Sequence, residues 1–445
     1  MTRALRLAVA ACAAMALTAS AAFAQTQAVA PAVAAKIDAA DTAWMLGATG
    51  LVLMMTIPGL ALFYAGMVRK KNVLATMAQC MAATFLVSIL WAAFGYSLAF
   101  TGDGPYIGAL DRVFLNGITL DAISPLAKTI PESLFMIYQM TFAVITVALV
   151  AGSVADRMRF SAFLLFCVFW LLLVYVPIAH WVWGGGFLGA SGVIDFAGGL
   201  VVHVNAGVAG LVAATVVGKR RGYGSENLSP HDLTLAVIGT GLLWVGWFGF
   251  NGGSALGANS RAAMAIVSTH LAASAGAFTW MALEWWMRGK PSVLGMISGA
   301  VAGLGTITPA SGFVMPMQGV LIGIVAGGVC FWACTWLKSR LGYDDSLDVF
   351  GVHGVGGLVG TFLAGVLAVG ALSASPELPA GVSGLLEGNP QLVVTQLYGI
   401  VVVLLWSGVG TFVILKAIGV MVPLRVRHED EIMGLDVSQH GEALQ

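Results

Sequence analysis

The chain has 445 residues, of which 59% are hydrophobic and only 9% charged, against about 25% charged in an ordinary soluble domain. Such a composition cannot cover a water-facing surface, so soluble, disordered and nucleic-acid-binding classes are excluded and an integral membrane protein remains. The 21 basic and 21 acidic residues cancel, so no bulk electrostatic partner is implied.

At the amino end, Arg3 and Arg6 precede the apolar run Leu7 to Leu17, and Ala22-Phe23-Ala24 follows as an A-x-A cleavage pattern. This reads as a secretory signal peptide over residues 1–24, with 25–42 as an extracytoplasmic segment; a retained anchor helix is the alternative. Eleven runs of about 20 apolar residues follow, each able to cross about 30 Å of hydrocarbon. They lie near 43–66, 73–100, 131–153, 160–181, 197–218, 232–251, 262–287, 292–309, 316–338, 350–371 and 391–418. A tail over 419–445 closes the chain. The expected fold is therefore all-α, with eleven transmembrane helices.

The distribution of basic residues orients them. Starting outside, the inward ends carry Arg69, Lys70, Lys71, Arg157, Arg159, Lys219, Arg220, Arg221, Arg288, Lys290, Lys338, Arg340, Lys416, Arg425 and Arg427. Only Lys36, Arg112, Lys128 and Arg261 fall outside. Positive charge accumulates on the cytoplasmic side, so the amino end is expected outside and the carboxyl tail inside. A wrong helix count would scramble this alternation.

Two segments 150 residues apart share a pattern: His203-Val-Asn-Ala-Gly207-Val-Ala-Gly210 and His353-Gly-Val-Gly-Gly357-Leu-Val-Gly360. Each has glycine four and seven residues after its histidine, a small-residue stripe for close helix contact. They fall on the fifth and tenth spans, and five crossings between them make the two helices opposite in direction. This is the mark of an inverted five-helix repeat, 43–218 and 232–371, with the span at 391–418 as an extra helix; transport pathways lie at such repeat interfaces.

Ionisable side chains inside spans are costly and point to function, which singles out His203 and His353. Haem ligation is the competing chemistry for membrane histidines, but no span carries a spaced histidine pair. Cys80, Cys167, Cys330 and Cys334 sit in apolar runs and Cys12 in the leader, with no metal-ligand spacing to the seven histidines. Neither a cofactor nor a metal is expected.

Phe142, Trp183, Phe250 and Ser254 lie toward the outer ends of their spans, two of them beside the glycine runs Gly184-Gly-Gly186 and Gly252-Gly253. Aromatics at span ends are ordinarily interface belts. Glycines beside tryptophan point instead to backbone at a cavity, and an aromatic face with a hydroxyl suits a small cation. Asp195 opens the fifth span, where it serves as an N-cap, as a negative charge favouring a cation, or as both.

Taken together, Asp195-Phe-Ala-Gly-Gly-Leu-Val-Val-His203-Val-Asn-Ala-Gly-Val-Ala-Gly210, Ile178-Ala-His-Trp-Val-Trp-Gly-Gly-Gly186, Trp247-Phe-Gly-Phe-Asn-Gly-Gly-Ser254 and Asp348-Val-Phe-Gly-Val-His353-Gly354 resemble the ammonium transporter family (Amt/Mep/Rh). Gly434-Leu-Asp436 to His440-Gly-Glu442 is similar to its bacterial Amt branch, and the likeness runs from about Asp41 to Glu442. The resemblance implies a transporter rather than an enzyme, assembled as a homotrimer with one pore per subunit in the bacterial inner membrane. It implies an outer ammonium site at Trp183, Ser254, Phe142 and Phe250, a hydrogen-bonded pair at His203 and His353, and an acidic residue at Asp195. Lumen-lining positions would be Leu243, Trp247 and Val349. Tyr138 stands where many members carry Phe, and Leu347 replaces a smaller residue of some members. A PII-type signalling protein is the implied cytoplasmic partner. An ammonium sensor on the same scaffold is the second reading; such proteins carry an appended signalling domain, whereas about 25 polar residues follow the last span here.

Overall fold

The computed structural model describes residues 35–375 and 378–444. The signal peptide expected over 1–24 lies outside the described residues. Among the described residues the structure is helical, its nearest approach to a sheet being one isolated antiparallel bridge between Met158 and Arg425.

Ten helices are long and apolar enough to cross a membrane. They are α1 (Ala39–Met67), α2 (Lys70–Phe100), α3 (Glu132–Val154), α4 (Phe160–Ala190), α5 (Gly199–Val217), α6 (Leu233–Gly252), α7 (Ser260–Arg288), α9 (Pro316–Leu341), α10 (Phe350–Leu367) and α11 (Pro390–Met421). The span expected near 292–309 is α8 (Val293–Ile307), of 15 residues. At 1.5 Å per residue it covers only about 22 Å; Pro309, two residues on, has no N–H with which to continue the ladder. Among the described residues, ten helices are of full crossing length and α8 is a shorter apolar one.

Local chemistry explains the helix starts. Asp38, Asp232, Asn259 and Ser292 each accept backbone N–H groups of the first turn they precede, satisfying donors that have no partner within the helix. Pro58 interrupts α1, and Ile57 before it is extended (φ −126°, ψ 111°).

The repeated glycines set the central crossing. Residues 199–204 of α5 pack against the Val355–Leu367 half of α10, and Phe350–Gly354 of α10 packs against the Asn205–Val217 half of α5. First half meets second half in both directions, so the helices run opposite ways. A Cβ on Gly207 would collide with the backbone of Gly354, and one on Gly357 would stand 2.9 Å from the Val204 nitrogen. The outer glycines do the same with neighbouring helices: Gly210 abuts Ser153 of α3, and Gly360 abuts Thr306 of α8.

The ionic side chains sort onto two faces. On one, Asp156 binds Arg69 (2.9 Å) and Asn72 (2.5 Å), and Arg220 forks onto Asp344. The tail docks on this face through α12 (His428–Met433) and α13 (Leu435–His440). Lys71 donates to the Glu431 carbonyl, the Leu435 N–H donates to the Asn72 side chain, and the Ala75 N–H donates to Asp436. On the other face Arg112 pairs with Glu132, and the Arg261 guanidinium lies over the rings of Phe196 and Phe313, which meet edge-on.

Candidate functional site

Three cavities follow one another through the helix bundle. On the face away from the tail is a vestibule of 150 Å³ lined by Phe100, Phe135, Gln139, Phe142, Trp183, Phe196 and Ser254 among others. Trp183 is held there by its indole N–H, which donates to the Asp195 carbonyl at 2.8 Å. The Ser254 hydroxyl donates to the Phe250 carbonyl at 2.8 Å. Beneath them the Phe142 and Phe250 rings meet at 4.2 Å, tilted 31° to each other, and close the floor. Trp183 stands edge-on to Phe142 at 5.7 Å and 88°.

Below this lid is a slot of only 10 Å³, about the space of one water molecule. Met55, Leu60, Phe63, Ile145, Leu149, Val202, Leu243, Trp247, Phe250 and Val301 wall it, and His203 and His353 are its only ionisable side chains. The two imidazoles lie 12° from parallel with Nδ1 to Nδ1 at 3.2 Å. Trp247 stacks on His203 at 5.5 Å and is fixed by donating its N–H to the Thr308 hydroxyl. The Nε2 of His203 has no protein partner. Gly305 faces the pair, and a Cβ there would approach both rings to 3.8 Å.

The third cavity, 270 Å³, opens on the tail face and reaches back to His353. Its wall includes Phe63, Tyr64, Glu284, Arg288, Leu347, Asp348 and Val352. Glu284 is held by Arg288 and Ser292, and Asp348 accepts from Lys338 at 2.7 Å. Leu347 is thus at the mouth, anchored by its N–H to the Gly152 carbonyl.

The structure brings together Phe142, Trp183, Phe250 and Ser254 in one group and His203, His353, Leu243 and Trp247 in another. Two expected residues sit elsewhere. Asp195 faces none of the three cavities: its Oδ1 accepts from Gly198 and Gly199, and its Oδ2 from Leu200 and Val201. Its carboxylate caps the start of α5 from three residues before the N-cap Gly198, and it reaches the vestibule by holding Trp183 through its backbone. Val349, expected in the lumen, packs instead toward Gly152 and Gly210, whose missing side chains open a slot between α3 and α5 that its methyl groups fill. Phe63, Leu60 and Val301 line the slot unforeseen. The sequence signal for the first two was Pro58-Gly59, which breaks α1 beside the pore.

Comparison with known proteins agrees with this geometry. Residues 43–444 match the Ammonium Transporter Family. The chain belongs to the ammonium transporter family. This transporter is 48% identical over 402 residues to the ammonium transporter of Bacillus subtilis, covering 90% of this chain and 97% of the relative. It is 46% identical over 414 residues to that of Aquifex aeolicus, covering 92% and 94%. The crystal structure of Candida albicans Mep2 superposes with a TM-score of 0.82 at 37% identity, covering 92% and 90% of the two chains. A structure titled Sensor Amt Protein matches at 28% identity and a TM-score of 0.82, covering 90% and 98%. The chain is accordingly a multi-pass membrane transporter whose substrate is ammonium, and not an enzyme.

Proposed function

We propose that this transporter moves ammonium by splitting it. The ion binds at Trp183, Ser254 and the Phe142–Phe250 lid, with Asp195 holding Trp183 in place. It gives up a proton, and ammonia crosses the slot while His203 and His353 relay the proton. The observation that carries this reading is the slot itself: 10 Å³ walled by apolar side chains and two imidazoles. An uncompensated ion in such surroundings costs tens of kcal/mol, a penalty neutral ammonia escapes. Each imidazole has two ring nitrogens, one able to accept a proton while the other gives one up, which suits it to pass a proton on. Leu243 and Trp247 keep the passage dry.

Because the proton follows, each transport event carries net charge, worth about 2.3 kcal/mol per 100 mV of membrane potential. Potassium ions have no proton to release and are refused at the slot; methylammonium can split and is a candidate second substrate. The clustering of basic loops and tail supports a cytoplasmic tail face, with eleven crossings of the bacterial inner membrane, a cleaved leader and a vestibule open to the outside. The two halves 43–218 and 232–371 then form an inverted repeat. A homotrimer with one pore per subunit and a PII-type protein docking on the tail face complete the proposal.

The test is ammonium-driven current in proteoliposomes on a solid-supported membrane. His203→Ala should lose most of the current or admit potassium ions. Full current with potassium still excluded would overturn the relay.

A further inference from the structure

Tyr138 lies on α3 one turn before Phe142, buried, with its ring edge-on to Phe142 at 5.1 Å. Its hydroxyl reaches across to α6. There it is 3.0 Å from the Gly249 carbonyl, 3.0 Å from the Phe250 carbonyl and 3.4 Å from Ser254 Oγ. It fills the space over Gly253, where a Cβ would stand 2.6 Å from the phenol oxygen. The fit is between a hydroxyl and a missing side chain, at the residue just after the segment Phe248–Gly252 where α6 widens from its regular ladder.

Counting protons fixes the roles. A phenol and a serine each have one proton to donate, and a carbonyl oxygen can accept two. Ser254 gives its proton to the Phe250 carbonyl. Tyr138 gives its own to the Gly249–Phe250 carbonyl pair. The Ser254 oxygen then has no proton left to turn toward the vestibule, and only lone pairs face it. Ser254 lines that vestibule, whereas Tyr138 does not.

We propose that Tyr138 is a positioning residue for ammonium at the outer site. Its hydroxyl pins the Phe250 carbonyl and the widened turn of α6, so that Ser254 is held as a pure acceptor beside Trp183. A cation that donates N–H bonds finds an oxygen already oriented for it. Without the phenol proton the carbonyl pair loses a donor, the turn loosens, and the serine hydroxyl is free to rotate its proton toward the cation. This inference rests on the outer-site reading above.

The experiment is a double-mutant cycle in proteoliposome currents, with KM and maximal current read separately. Tyr138→Phe keeps the ring and its packing on Phe142 and removes only the oxygen. KM for ammonium should rise about fivefold, the scale of one lost hydrogen bond, while maximal current changes less than twofold. In a Ser254→Ala background the same substitution should leave KM where Ser254→Ala put it. Tyr138→Leu, which also strips the ring contact, should cost further in that background, as a packing loss does. A Tyr138→Phe protein with unchanged KM, a loss confined to maximal current, or full additivity with Ser254→Ala would each overturn the inference. Should Ser254→Ala itself leave KM untouched, the outer-site reading fails first and this one with it.

Discussion

The Nδ1 atoms of His203 and His353 stand 3.2 Å apart across the crossing of α5 and α10, so one hydrogen atom serves both rings. A neutral imidazole has one protonated nitrogen. The ring that donates from Nδ1 must leave its Nε2 bare, and the ring that accepts must carry its hydrogen on Nε2. The two Nε2 atoms are therefore one acceptor and one donor, roles that the proposed proton relay would exchange.

The proposed relay makes the two hydrogen-bonded histidines one unit, and units respond non-additively to substitution. His203→Ala, His353→Ala and the double variant should each lower ammonium-driven current by at least about tenfold, the effect of about 1.4 kcal/mol on the barrier. The double variant should be no worse than the more severe single one. Currents that fall multiplicatively would mean two independent residues and no relay between them.

Trp183 offers the vestibule an aromatic face, and cation–π attraction contributes about 0.5–2 kcal/mol depending on desolvation. Trp183→Leu retains apolar bulk and removes that attraction, together with the hydrogen bond to the Asp195 carbonyl. The apparent KM for ammonium should rise about 2–30-fold. Equal transport kinetics in the variant would remove Trp183 from the binding site.

Much of this site was legible because membrane helices repeat their packing code. The histidines with glycines at the fourth and seventh following positions identified the crossing helices, and the crossing then follows from which residues lack a Cβ. What was not legible depends on partners distant in sequence. Val349 looked like a lumen residue on α10 until Gly152 and Gly210, from two other helices, provided the slot that receives it. For Asp195 the sequence left a helix cap and a charge beside the mouth both open, and the four N–H groups of the α5 start that take up its carboxylate show the capping role. Phe63 enters the pore because α1 is broken at Ile57, and its apolar sequence pattern gives no direction for the side chain after a break. The span near 292–309 had the right composition, but Pro309 shortens its helix.

The glycine at the centre of the crossing should tolerate nothing larger. A Cβ on Gly207 meets the backbone of Gly354, which cannot move aside as a flexible side chain can, and overpacking of a close-packed interior costs about 1–3 kcal/mol or more. Gly207→Ala should lower the thermal midpoint of purified protein by several degrees and reduce assembled protein on size exclusion. Gly328→Ala, where a Cβ meets no atom within 4 Å, is the control and should be neutral or stabilising. Equal behaviour of the two variants would show that the α5–α10 contact is looser than this geometry.

The tail face carries an acid-sensitive fastening. Arg220 forks onto Asp344, with Nε at 3.0–3.1 Å from both carboxylate oxygens and Nη2 at 2.7 Å from one. The Arg220 N–H adds a further bond, and Arg157 donates to the Asp344 carbonyl. Burial alone would raise the Asp344 carboxyl, but the bonds and charge of Arg220 outweigh it and hold the group below the ordinary carboxylate range. A carboxylate depressed in the folded state contributes stability that is present above its unfolded value, about 3.9, and is lost as the pH falls from there through its folded value. The thermal midpoint should therefore decline as the pH is lowered from 5 through 3. Asp344→Asn should be less stable already at pH 7, by about 3–5 kcal/mol, because it leaves Arg220 buried without its main partner. The variant should also show a shallower acid decline, since the group that titrates is gone. Residues 344–348 run directly into the inner cavity through Leu347 and Asp348, so the same substitution should reduce ammonium current at neutral pH. An Asp344→Asn protein with wild-type stability at pH 7 and an unaltered acid profile would show that the Arg220 pair fastens nothing.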